Sequence, residues 1–161
     1  MDNNNLNGFG NIHIELTSRC DKSCWMCGRR KVEKEFPELA LEYGDIDFDL
    51  LENISKQLPS NIVVQLHNNG ESLLYPRLGD AVRLFNKQII NIVTNGKLLV
   101  EKADEIIDNL DTITISVIEN DPEADDQYTI IEKFLKIKGN KKPFPILRIN
   151  GFVELERYKK L

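Results

Sequence analysis

Five short runs rich in β-branched residues set the framework of this chain. Each ends in a polar or glycine-containing loop. In the first, Asn11 to Thr17, Ile12, Ile14 and Leu16 alternate with polar residues, the period of a strand. The others are Ile62-Val63-Val64-Gln65-Leu66, Ile89-Ile90-Asn91-Ile92-Val93, Thr112 to Val117 and Pro145 to Asn150. Segments with helical spacing lie between them. Asp47 can cap a helix through Leu58, with Leu50, Leu51, Ile54 and Leu58 on one side. Pro76 opens a second, with Leu78, Val82 and Phe85 apolar. Leu98 to Leu110 makes a third, turning Leu99, Ala103, Ile106, Ile107 and Leu110 inward. Asp125 to Ile137 makes a fourth around Ile130, Ile131, Phe134 and Leu135. Gly28 to Asp47 is charged and irregular, and Gly151 to Leu161 shows no period.

Buried strands alternating with amphipathic helices predict a parallel α/β architecture. The loops that follow the strands then gather along one edge, where such folds carry their chemistry. A β/α barrel and an open flavodoxin-like sheet fit this pattern equally. The 161 residues suit one core. The polar start, residues 1–10, reads as a disordered tail before a domain over 11–161.

The first loop holds all three cysteines of the chain, Cys20, Cys24 and Cys27, in a C-x3-C-x2-C spacing. An odd count in a chain of this size does not suit a disulfide framework. A structural zinc needs four ligands, so His13 or His67 would have to complete it. Iron–sulfur clusters take four cysteine ligands as a rule. Three thiolates with no fourth cysteine leave one iron of a cubane free to bind a small ligand.

Three more strand ends aim polar groups at the same edge. The second strand runs into Asn69-Gly70-Glu71-Ser72, where Gly70 allows close backbone approach and ionised Glu71 accepts hydrogen bonds only. Alone, this is an Asn-Gly turn with a surface glutamate. The third ends in Thr94-Asn95-Gly96, itself a common turn. Ser116 ends the fourth. Arg148 and Asn150 lie on the fifth, where an arginine could grip a carboxylate or form a structural ion pair.

Taken in this order, the motifs resemble those of the radical S-adenosylmethionine (SAM) superfamily, over roughly Ile12 to Asn150. The resemblance implies a partial (β/α) barrel, about five parallel strands with helices outside. It also implies a [4Fe-4S] cluster on Cys20, Cys24 and Cys27, with SAM chelated to the open iron. Asn69-Gly70-Glu71-Ser72 is similar to the family's Gly-Gly-Glu-Pro motif, with Asn for the first glycine and Ser for the proline. Gly70, Glu71, Thr94, Asn95, Ser116 and Arg148 would then line the SAM site, and Met26, just before the third cysteine, would pack near the adenine. The implied reaction is reductive cleavage of SAM to a 5′-deoxyadenosyl radical that abstracts hydrogen from a substrate. Peptides, nucleotides or tRNA, and proteins are the substrate classes such motifs serve; relatives with an auxiliary SPASM domain favour peptides. A flavodoxin or ferredoxin would supply the electron. The family core has six strand–helix units and this chain about five, so a fragment, or a chain completed by a partner, is also expected. A non-catalytic α/β module with structural zinc is the reading from a different class.

The formal charge of −5 gives no general attraction to nucleic acid or to an anionic membrane. The sequence has no apolar run long enough to span a bilayer and no leader pattern. Clustered thiols then point to a reducing cytoplasm.

Overall fold

In the computed structural model, which describes residues 10–161, five strands form one parallel sheet. They are β1 (Asn11–His13), β2 (Val63–Gln65), β3 (Ile89–Thr94), β4 (Thr112–Ile118) and β5 (Phe144–Asn150). Their spatial order is the order of the chain, β1-β2-β3-β4-β5. A doubly wound sheet reverses its order at a switch point; this sheet does not. Every crossover advances in the same direction, which is the winding of a barrel. The chain is therefore a partial (β/α) barrel, with β1 and β5 at its two edges. The tail expected over 1–10 lies, apart from Gly10, outside the described residues.

The helices are α1 (Gly28–Glu35), α2 (Phe48–Ser55), α3 (Leu78–Arg83), α4 (Ala103–Ile106), α5 (Ala124–Lys138) and α6 (Leu155–Tyr158). Asp47 caps α2 as expected, its carboxylate accepting from the Leu50 amide at 2.9 Å. One face of the sheet and the helices close a core that includes Ile14, Leu16, Leu51, Val64, Leu78, Phe85, Ile92, Ile113 and Phe134. On each strand these residues alternate with a second set. His13, Gln65, Asn91 and Thr112 share one row by register, and Ser116 stands opposite Arg148 two rows higher, beyond Thr114. The second set is partly exposed and mostly polar, so the inner face of the half-barrel is wet and hydrogen-bonded.

Several elements depart from the sequence reading. The charged stretch after the cysteines begins with α1, which buries no residue; with no apolar stripe there was no period to read. The helix expected over Leu98 to Leu110 is regular only at Ala103–Ile106. Its flanks close i→i+3 turns, Leu99 to Gly96 and Ala103 to Val100, and Asp108 sits at φ 62°. Burying Leu99, Ala103, Ile106 and Leu110 in so short a connection tightens the coil past α geometry. Pro76 precedes its helix, which starts at Leu78 after a 3₁₀ turn at Ser72–Leu74.

Candidate active site

The cysteine loop is anchored at both ends. Thr17 bridges Asp45, and the Arg19 guanidinium grips the Asp45 carboxylate at 2.8 Å and the Leu74 carbonyl at 3.1 Å. At the far end the Cys27 amide donates to the Cys24 carbonyl at 3.1 Å, and α1 starts at the next residue. All three thiols are partly exposed. Burial pushes the Cys20 and Cys24 thiols above their ordinary range, so metal loading must release protons.

The donor set fits an iron–sulfur cluster better than zinc. Among the described residues no three Cys, His, Asp or Glu side chains converge tightly enough to hold one ion. A tetrahedral zinc needs its ligands at a single point, whereas a cubane offers each thiolate its own iron. His13 and His67, the two histidines that could complete a zinc site, instead face each other edge to face, ring centroids 5.3 Å apart.

The second and third strand ends are clasped together by Glu71, which is 3% exposed. Its carboxylate accepts from the Leu73 amide at 3.1 Å, the Thr94 hydroxyl at 2.7 Å and the Asn95 amide at 2.7 Å. Thr94 passes the chain on by accepting from the Gly96 amide at 3.0 Å. Burial raises the Glu71 pKa against the opposing pull of these donors. Asn95 then reaches the cysteine loop, its side-chain amide donating to the Asp21 carboxylate at 2.7 Å. Gly70 lies where its loop presses on the start of the cysteine loop; the Glu71 amide donates to the Arg19 carbonyl at 2.8 Å.

The structure thus joins Cys20–Cys27, Gly70, Glu71, Thr94 and Asn95 into one hydrogen-bonded edge. Ser116 connects to it through its carbonyl, which accepts from Gln127 at 2.9 Å. Met26 is 47% exposed beside Trp25, whose indole N–H donates to the Glu119 carbonyl at 2.9 Å. Arg148 stays outside the network. It is exposed on the inner face, and its charge joins His13 in acting on His67.

The sequence reading missed four supports. Glu15 accepts from the Asn69 and Gly70 amides at 2.7 and 2.9 Å. Its alternation with Ile14 and Leu16 is the signal that puts it on the opposite face of the strand from the core. Gln127, 1% exposed, donates at 2.7 Å to the Asn95 carbonyl as well as to Ser116. Its spacing from Ile131 and Phe134 put a polar side chain on a core stripe, which was a readable signal. Lys22 with Asp121, and Lys97 with Glu123, had none, because their partners lie far away in sequence.

His67 gives a prediction of its own. Desolvation, with His13 and Arg148 nearby, lowers its pKa from 6.5 to about 4. The folded state then binds fewer protons than the unfolded one, so stability is lost as pH falls from 6.5 through about 4. In an NMR titration the His67 ring is expected to stay neutral down to about pH 4, and His67→Gln to flatten stability across that window. A His67 midpoint near 6.5 would refute this.

No family model matches the chain. It is 30% identical over 112 residues to the tungsten-containing aldehyde ferredoxin oxidoreductase cofactor-modifying protein of Pyrococcus furiosus, covering 66% of this chain and 29% of that protein. It is 28% identical over 127 residues to the FeMo cofactor biosynthesis protein NifB of Methanocaldococcus infernus, covering 71% of this chain and 41% of that protein. The chain thus spans less than half the length of either curated relative. Its fold is similar to the crystal structure of BtrN in complex with AdoMet and 2-DOIA, with a TM-score of 0.64 at 18% identity over 89% of this chain and 57% of that one. BtrN in an open conformation gives a TM-score of 0.60. With the C-x3-C-x2-C loop following the first strand and the other motifs on successive strands, the chain keeps in its structure the order of motifs that resembles the radical SAM superfamily, on a fold similar to that of BtrN, whose crystal structure holds AdoMet.

Proposed function

We propose that this chain forms the cofactor-binding part of a radical SAM enzyme. The observation that carries the reading is the hydrogen-bonded edge that draws the three-cysteine loop, Gly70-Glu71 and Thr94-Asn95 together. Cys20, Cys24 and Cys27 would hold the cluster. Once bound, the cluster and SAM supply one-electron cleavage of a sulfonium and a carbon radical able to abstract hydrogen from a substrate. The chain's own work is positioning. Glu71 fixes the backbone of its loop, leaving carbonyls there to receive an ammonium group. Met26 offers a soft apolar surface near the third cysteine. Thr94, Asn95 and Ser116 line the approach to the loop, and Arg148 offers a guanidinium to a carboxylate. A one-electron donor of the flavodoxin or ferredoxin class would dock outside the cysteine loop.

The names of both curated relatives concern a metal-containing cofactor. They favour a cofactor precursor as substrate over the peptide expected from the sequence. The wet inner sheet face suits a polar molecule of either kind. Among the described residues no helix is long and apolar enough to cross a membrane.

Anaerobic reconstitution with iron and sulfide, followed by SAM and dithionite, tests this reading. Wild type is expected to carry about four irons per chain and to release 5′-deoxyadenosine. Cys24→Ala is expected to lose both. Retention of one zinc with no product from wild type would refute the reading.

A further inference from the structure

We propose that Lys22 and Asp121 form a lock that sets the cysteine loop against the loop between β4 and α5, and so governs how the cluster is held. This rests on the radical SAM reading above. Lys22 lies between the first two cysteines, and its ammonium meets the Asp121 carboxylate directly. The two side chains are 5% and 3% exposed, so the pair is sealed from solvent. Lys22 fills a variable position of the C-x3-C spacing, and Asp121 lies outside the motifs of the site.

The surroundings show what the pair closes. Glu123 stands 3.9 Å from the same ammonium and 2.8 Å from Lys97, whose ammonium also donates to the Asp21 carbonyl at 3.3 Å. The Trp25 indole donates to Glu119 of the same distant loop. Two side chains of the cysteine loop, Lys22 and Trp25, are therefore fixed to residues 119–123, and Lys97 bridges the Asp21 carbonyl to Glu123 of the same segment. The two loops border a cavity of about 550 Å³ whose wall includes Cys24, Trp25, Ile118 and Pro122. The third cysteine needs no such tie, because Cys27 stands at the N-terminus of α1, its backbone carbonyl accepting from the Lys31 amide at 3.1 Å.

A buried ion pair is seldom kept for stability alone, since apolar residues of similar volume do as well. This pair does what an apolar pair cannot. It fixes direction and register between two loops, and it holds one positive charge beside the Cys20–Cys24 limb with a negative charge behind it. Removing either partner exposes the cluster to the other's charge. Lys22→Met should make cluster reduction harder, and Asp121→Asn should make it easier.

The test compares reconstituted wild type, Lys22→Met, Asp121→Asn and the apolar pair Lys22→Met/Asp121→Leu. Irons per chain are counted after desalting, and midpoint potentials are followed by electron paramagnetic resonance. The apolar pair leaves no stranded charge, so it is expected to melt like wild type yet retain at most half the iron. The single variants are expected to shift the potential in opposite directions, which a merely structural contribution would not do. Full iron retention by the apolar pair overturns the proposal. So do single variants whose potentials are unchanged or move the same way. Wild type that takes up no iron fails earlier and removes the radical SAM reading together with the lock.

Discussion

Gly70→Ala is expected to lower the melting temperature by about 10 °C. A Cβ at this position would overlap the Thr17 carbonyl oxygen and lie 2.7 Å from its carbonyl carbon and 2.9 Å from Ser18 Cα. All three are backbone atoms, so no side chain can turn aside. The strand end of β1 or the Gly70 loop must move. Overpacking costs about 1–3 kcal/mol when side chains can adjust, and occasionally more; against rigid backbone the upper figure of about 3 kcal/mol applies. For a chain of this length each kcal/mol moves the melting point by about 2–4 °C. The movement also pulls apart bonds that define the site, those from Asn69 and Gly70 to Glu15 and from the Glu71 amide to Arg19. SAM affinity of the reconstituted protein should therefore fall further than the loss of folded protein explains. Gly44→Ala is the control, since a Cβ there meets nothing within 4 Å. Circular dichroism melts of the two variants decide the matter. Equal melting points would show that the loop yields freely.

The parts of this architecture legible in the sequence were those with a local signal. β3, β4 and α5 carry their period within a few turns of chain, and the structure places them within two residues of the expected bounds. The cysteines and Thr94-Asn95 sit at strand ends, so knowing the strands placed the loops on one edge. Barrel against open sheet was not decidable from the runs themselves, because both folds alternate strand and helix; only the spatial order of the strands separates them. Glu71 was expected to line the SAM site as an acceptor, and the structure shows its carboxylate turned inward to three protein donors. A glutamate's sequence neighbours do not reveal that Thr94 and Asn95, more than 20 positions away, will arrive beside it. The lock is harder still. Lys22 and Asp121 are separated by 99 positions, and each alone reads as a solvated surface charge.

Glu71→Leu is expected to cost more than any other single change in the hydrogen-bonded edge. The carboxylate is the shared acceptor of the Leu73 amide, the Thr94 hydroxyl and the Asn95 amide. Leucine fills the volume but strands the two amides in a buried place, where each unsatisfied group costs about 1–3 kcal/mol. Thr94 can turn its hydroxyl elsewhere, so a loss of about 3–5 kcal/mol is expected from the two amides and the charge-assisted character of their bonds. Glu71→Gln keeps one acceptor oxygen and should fall about halfway between. The pH dependence separates the carboxylate from its shape. Burial raises the Glu71 pKa above its ordinary value, so between the unfolded and folded values the native state holds a proton that the unfolded chain has released. Stability therefore falls as pH rises through that window, and the cost of the buried charge is fully present above the folded pKa. Glu71→Gln cannot titrate and should lose that slope while the wild type keeps it. Chemical denaturation of both proteins across the acid range measures it. Parallel profiles would mean that the three donors hold the carboxylate ionised throughout, and that hydrogen bonding outweighs burial at this position.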